Sequence, residues 1–229
     1  MKYDLIIFDA DDTLFDFQQA QKFSLRKSLL EVGIDYKPVY LDLYKSCNQK
    51  AWLALERGEI QQKHLNQRRF RDFARRLACP RKAGPLGEKY LDNLKSATYY
   101  VEGAQALIRG LYGKCKLIII TNGFKAVQDP RIRQNDLAQF FDKIVISEEV
   151  GLVKPSPKIF SYALEGLGPM DKSKILMVGD SLSSDIGGGH NFGIDTCWFN
   201  PKGKERRGLV TPTYEIRALK ALEDLLIKK

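Results

Sequence analysis

Histidine is nearly absent from this chain, and cysteine is sparse and scattered. Its 229 residues hold two histidines, His64 and His190, and four cysteines, Cys47, Cys79, Cys115 and Cys197. There is no CxxC pair and no histidine close to a cysteine, which excludes a zinc centre built from thiolates and imidazoles. The isolated thiols read as reduced, mostly buried side chains of a cytoplasmic protein. The two histidines read as structural. The chain also lacks any run of about 18 apolar residues, which argues against a membrane-spanning helix. Its first apolar run is too short for a signal peptide and ends in acids. Internal repeats and low-complexity linkers are missing as well.

What is present is a core-forming composition with unevenly placed charge. Apolar residues make up 44% of the chain, enough for one large domain or a domain with a smaller insert. The net charge is +9, and residues 16–95 supply most of it, with 17 lysines and arginines against 9 acids. The densest stretch is Arg68-Arg69-Phe70-Arg71-Asp72-Phe73-Ala74-Arg75-Arg76. The ordinary reading is a solvated helix face; the functional one is a surface that draws in anionic substrates. No nucleic-acid-binding motif accompanies it, so neither nucleic acid nor membrane is expected as a partner. Whether the chain is a monomer or a dimer is left open by its composition.

The apolar pattern changes along the chain. Leu5-Ile6-Ile7-Phe8, Leu117-Ile118-Ile119-Ile120, Lys143-Ile144-Val145-Ile146, Ile175-Leu176-Met177-Val178 and Thr196-Cys197-Trp198-Phe199 read as strands covered on both faces. Helical segments separate them, so βαβ crossovers and a mostly parallel, Rossmann-like sheet are expected. Between the first and second strands, Gln18–Val32, Pro38–Arg57, Gln61–Leu77 and Leu86–Lys95 carry apolar residues at helical spacings. These four helices read as an insertion: an α/β core from residues 1–15 and 97–229, and a helical unit at 16–96.

Every strand that matters ends in polar groups. Asp9 and Asp11 follow the first strand, and in an open α/β fold the ligand crevice lies at that carboxyl edge. Paired carboxylates suit two jobs, holding a hard cation or dividing nucleophile and acid/base roles. Thr121-Asn122-Gly123 ends the second strand and reads either as a capped turn or as an anion-binding loop. Lys154, fixed by Pro155, reads as a solvated lysine or as a counter-charge facing the acids. Asp180 follows the fourth strand directly, whereas Asp185 also reads as a helix cap. Four acids in one crevice repel unless a cation joins them, and an all-oxygen donor set favours Mg2+.

DxDxT at 9–13, Thr121-Asn122, Lys154-Pro155 and GDxxxxD at 179–185 resemble, in order, the four motifs of the haloacid dehalogenase-like hydrolases. Asp9-Ala10-Asp11-Asp12-Thr13-Leu14, Thr121-Asn122-Gly123-Phe124 and 145–151 resemble the pyrimidine 5′-nucleotidase branch of that superfamily. The resemblance implies that the helical insert is a small cap, that Asp9 is a nucleophile forming an aspartyl-phosphate, and that Asp11 is the acid/base. It further implies Mg2+ held by the Asp9 carboxylate, the Asp11 backbone carbonyl and the Asp180 carboxylate. Thr121 or Asn122 and Lys154 would bind phosphate oxygens, with Asp185 orienting Lys154 or a metal-bound water. The implied substrate is a small phosphate ester, a nucleoside 5′-monophosphate; the alternative is a metabolite such as phosphoglycolate or a sugar phosphate.

One departure from the pattern is Asp129-Pro130, where the family continues a helix. The expected solution is a new helical turn starting at the proline, capped by Asp129. Most aromatics of the insert, among them Tyr44, Phe70 and Phe73, are expected in its core. Phe17 and Phe124 are the better candidates for contacting a base.

Overall fold

The computed structural model describes residues 1–206 and 210–227. It divides into two compact units, Met1–Phe17 with Tyr99–Lys229, and Gln18–Thr98.

The first unit is built on β1 (Leu5–Phe8), β2 (Lys116–Thr121), β3 (Lys143–Ile146), β4 (Ile175–Gly179), β5 (Asp195–Phe199) and β6 (Tyr214–Ile216). All pairings are parallel, in the order β3-β2-β1-β4-β5-β6. This is the expected α/β core. β6 is a strand that sequence pattern does not announce, because three residues are too short to carry a period. Side chains alternate across the sheet. Ile6, Phe8, Leu117, Ile119, Leu176 and Val178 pack on one face, with Leu107 and Ile108 of α5 (Ala104–Leu111). Leu5, Ile7, Ile118, Ile120, Ile175 and Met177 pack on the other, with Ile159 and Phe160 of a further helix, Pro157–Leu164. Both faces are covered, so the strands show unbroken apolar runs instead of alternation. Each fully buried Leu, Ile or Phe contributes about 1.5–3 kcal/mol of transfer free energy.

Register sets the site. Phe8 aligns with Ile119 on one side and with Val178 on the other. The residues just beyond β1, β2 and β4 therefore emerge at one carboxyl edge.

The second unit is helical: α1 (Phe17–Glu31, beginning one residue before it), α2 (Val39–Glu56), α3 (Gln62–Arg76) and α4 (Ala83–Lys95). Its centre is aromatic. Tyr44, Phe70 and Tyr90 are fully buried, with ring centroids 5.1 Å apart in each pair. The basic run on α3 is mixed in fate. Arg68, Arg71, Arg75 and Arg76 are exposed, whereas Arg69 is buried, donating to Asn48 at 2.8 Å and Asn66 at 2.8 Å. A charge run at helical spacing necessarily places some member on the inner face.

Among the described residues, the first unit also holds α6 (Lys125–Gln128), α7 (Ser147–Val150), α9 (Gly187–Phe192) and α10 (Lys220–Ile227), with Pro157–Leu164 as α8.

Candidate active site

Asp9 is carried directly off β1, its N–H bonded to the Val178 carbonyl. Lys154 reaches it from the loop after α7. Its Nζ donates to Asp9 Oδ1 at 2.6 Å, to the Ile120 carbonyl at 2.7 Å, and lies 2.8 Å from Asp185 Oδ1. An ammonium has three N–H donors, and three acceptors meet them. The other Asp9 oxygen, Oδ2, accepts a long hydrogen bond of 3.5 Å from Thr13.

The fourth strand end completes the group. Asp180 has its carbonyl held by the Trp198 indole N–H at 2.9 Å. Asp185 sits in the π turn Leu182–Ile186, its Oδ2 accepting from the Ser181 N–H at 3.0 Å. The helix cap here is Ser181, whose hydroxyl accepts from the Ser184 N–H; Asp185 returns one oxygen to the Ser181 N–H and turns the other to Lys154. Glycine at 179 permits this approach: a Cβ there would lie 2.2 Å from Asp185 Oδ2.

One carboxylate oxygen from each of Asp9, Asp180 and Asp185 lies within 4.8 Å of the others. Burial pushes the Asp9 carboxyl up to about 7, Asp185 and Asp11 adding to the rise and Lys154 opposing it. Burial also pushes Asp180 well above the carboxylate range, aided by Asp185, Asp9 and Asp12; Lys204, 4.0 Å away, works against it. For Lys154, burial works to lower the pKa, but Asp185 and Asp9 outweigh it and keep the ammonium protonated. The cluster thus carries more negative charge than its own cations neutralise comfortably. All-oxygen donors with that deficit fit a hard divalent cation such as Mg2+.

Asp11 lies outside this triad and is held by different partners. Arg131 Nη1 donates to its Oδ1 at 2.8 Å and Gln128 Nε2 to its Oδ2 at 2.8 Å. Neither partner is singled out by the sequence motifs. The only available hint was the break at Asp129-Pro130, and the structure resolves it differently from expectation. α6 ends at Gln128 and a π turn, Asp129–Arg133, follows. Asp129 does not cap that turn; its carboxylate pairs with Arg133 at 2.9 Å. π turns recur at functional sites because they re-aim side chains within a helix.

Thr121 accepts from Gln128 Nε2 at 2.9 Å and from the Gly123 N–H at 3.2 Å. Asn122 is engaged with Lys154: its amide donates to the Lys154 carbonyl and its carbonyl accepts the Lys154 N–H, both at 2.9 Å. That pair of bonds aims the lysine, a service invisible in a strand-end dipeptide. Phe17 lies under the Arg131 guanidinium, 5.7 Å from ring centroid to Cζ, and Phe124 is half-buried at the start of α6. His64 and His190 are exposed, on α3 and α9.

A parallel sheet with acids from two strand ends around one lysine makes a site at the carboxyl edge of an open α/β fold, and the comparisons specify the family. The haloacid dehalogenase-like hydrolase family matches residues 6–199, and the chain belongs to that family of enzymes. It is 39% identical to the pyrimidine 5′-nucleotidase YjjG of Escherichia coli (strain K12) over 228 residues, all of both chains. It is 33% identical to the pyrimidine 5′-nucleotidase PynA of Streptococcus pneumoniae, covering 100% of this chain and 97% of that one. Among solved structures, the HAD-hydrolase YfnB of Bacillus subtilis bound to magnesium superposes with a TM-score of 0.93 at 34% identity, covering both chains entirely. Among the described residues, no helix is long and apolar enough to cross a membrane.

Proposed function

We propose that this hydrolase is a Mg2+-dependent phosphomonoesterase that cleaves nucleoside 5′-monophosphates, pyrimidine ones foremost, through an aspartyl-phosphate on Asp9. The observation that carries the reading is the convergence of Asp9, Asp180 and Asp185 within 4.8 Å beside a buried lysine. The full-length likeness to two pyrimidine 5′-nucleotidases supports the substrate class.

In this reading Asp9 attacks phosphorus. Oδ1 is occupied by Lys154, which leaves Oδ2 as the less encumbered nucleophile. Asp11 protonates the departing ester oxygen, then takes a proton from the water that cleaves the intermediate. Lys154 supplies the counter-charge beside the phosphate, aimed by Asn122 and Asp185. The Thr121 hydroxyl, with Asn122 beside it, lines the phosphate position. Mg2+, held by the Asp9 and Asp180 carboxylates with the Asp11 carbonyl, would neutralise the meeting of two anions and stabilise charge on the transferring group. The helical insert, read from the sequence as residues 16–96, serves as the cap that supplies selectivity. The free thiols fit a cytoplasmic enzyme.

The test is phosphate release across nucleoside 5′-monophosphates, phosphoglycolate and sugar phosphates, with and without Mg2+. Preference for pyrimidine nucleotides, lost with EDTA and restored by Mg2+, is expected. Faster turnover of a sugar phosphate than of every nucleotide would transfer the assignment to the metabolite alternative.

A further inference from the structure

Two residues that none of the motifs contains form a closed hydrogen-bonded ring with Asp11. Arg131 Nη1 donates to Asp11 Oδ1 at 2.8 Å and to Gln128 Oε1 at 3.0 Å. Gln128 Nε2 in turn donates to Asp11 Oδ2 at 2.8 Å and to Thr121 Oγ1 at 2.9 Å. Each donor is thus held by the other, and the ring is anchored to the end of β2. Arg131 is completely buried, its guanidinium 5.8 Å from the Phe15 ring centroid and 5.7 Å from that of Phe17. A buried cation stacked on two rings has little freedom to choose another partner.

The segment bearing these residues is itself fastened down. Glu149 of α7 accepts from Lys125 at 2.8 Å and from Arg133, which also pairs with Asp129. Gly123 leaves the space Gln128 needs, since a Cβ there would lie 2.3 Å from Gln128 Nε2. Backbone, ion pairs and side chains agree on one placement.

We propose that Arg131 and Gln128 are positioning residues for Asp11, pinning its carboxyl group in the orientation from which it serves the leaving group. A carboxylate offers about four lone-pair sites, and the clasp takes one on each oxygen. Asp11 keeps 26% of its side chain exposed, so the remaining sites stay open for a proton. The inference rests on the acid/base assignment of Asp11 made above.

The chemistry separates its consequences. When Asp9 bonds to phosphorus, the P–O ester bond breaks and its electron pair stays on the ester oxygen. An alkoxide of a ribose must take the proton of Asp11, which becomes a carboxylate. A p-nitrophenolate leaves without one. Misplacing Asp11 should therefore slow the first step on the alkyl ester and spare it on the aryl ester. Damage to the site as a whole would slow both.

The experiment is rapid mixing of Mg2+-loaded wild type, Arg131→Met, Arg131→Lys and Gln128→Met with UMP and with p-nitrophenyl phosphate. In Arg131→Met, the single-turnover release of uridine should slow about 10- to 100-fold, the range expected for a misplaced catalytic group. The burst of p-nitrophenolate should stay within about twofold, and KM should move little. Arg131→Lys should recover part of the loss, because an ammonium replaces one of the two donors. Should Arg131→Met fail to fold, Gln128→Met reads the same clasp from its other side. Equal slowing of both esters, or no slowing of either, would overturn the inference while leaving the phosphatase reading intact. Wild type that releases phosphate from neither ester would overturn both.

Discussion

Nζ of Lys154 lies 2.6 Å from Oδ1 of Asp9, although 145 positions separate them in the chain. The contact closes the gap between the loop after α7 and the end of β1, and Asp185 joins it from the turn after β4. Two strand ends and the loop after α7 thereby deliver one buried ion cluster to one edge of the sheet. Its stability and its chemistry are linked, and several outcomes follow from that linkage.

Removing the cation should be costly. Lys154→Met leaves Asp9 and Asp185 buried side by side, and breaking a buried pair from one side typically costs about 3–5 kcal/mol. Urea unfolding at pH 7 should show a loss of that size. A loss below about 1 kcal/mol would mean the two acids find other compensation.

The two acids of the first motif should fail differently. Asp9→Asn should abolish turnover and leave no phosphorylated protein detectable by mass spectrometry. Asp11→Asn should slow turnover of an alkyl phosphate about 10²- to 10⁴-fold, the usual worth of a proton-transfer group. Near-normal phosphate release by Asp9→Asn would remove it as nucleophile.

Gly179→Ala tests the approach of Asp185. The new Cβ would stand 2.2 Å from Asp185 Oδ2, so the carboxylate must leave Lys154. Activity should drop at least about tenfold while circular dichroism keeps its wild-type form. Full activity would show that Asp185 is not needed where it stands.

The ion network around α6 predicts a pH dependence of stability. Arg133 and Lys125 hold the Glu149 carboxyl down to about 2, from an ordinary value of 4.5. A depressed carboxylate stabilises the folded state fully above its ordinary value, and that contribution disappears as pH falls toward 2. Glu149→Gln should therefore lower stability at pH 7, by less than about 1 kcal/mol since the pair is about one-third exposed. The difference from wild type in thermal melts should shrink below pH 4.5. A difference that grows in acid would contradict the assignment.

Thiol reactivity should rank by burial. Cys197 is buried and pushed up to about 12 by desolvation, and desolvation pushes Cys115 up to about 11. Cys47 is also buried and raised by the same cause. Iodoacetamide at pH 8 should label Cys79 first in the native protein and all four after unfolding. Early labelling of Cys197 would mean the β5 face opens in solution.

The strands, their parallel arrangement and the acids at their ends were legible because those features are written locally. An unbroken run such as Leu5–Phe8 can be buried on both sides only inside a covered sheet, and a carboxylate directly after it must emerge at the sheet edge. The motif resemblance was legible for the same reason: its residues sit at fixed offsets from strand ends. Arg69 lies on the inner face of α3 with Leu65 and Phe73, a position that composition alone does not separate from its exposed neighbours, and β6 is too short to carry a period.

Partnerships between distant residues belonged to the tertiary structure. Asn122 reads as a strand end near a phosphate, and the two bonds of its side chain to the Lys154 backbone are a partnership that the dipeptide does not announce. Arg131 and Gln128 lie 120 and 117 positions from Asp11 and belong to no motif. The short helix α6 carries Gln128 and the π turn after it carries Arg131, and the packing of the chain after Gly123 brings both to that carboxylate. Spacing along the chain determines which face a side chain takes within its own element. Which charge it meets depends on how separate elements fold together.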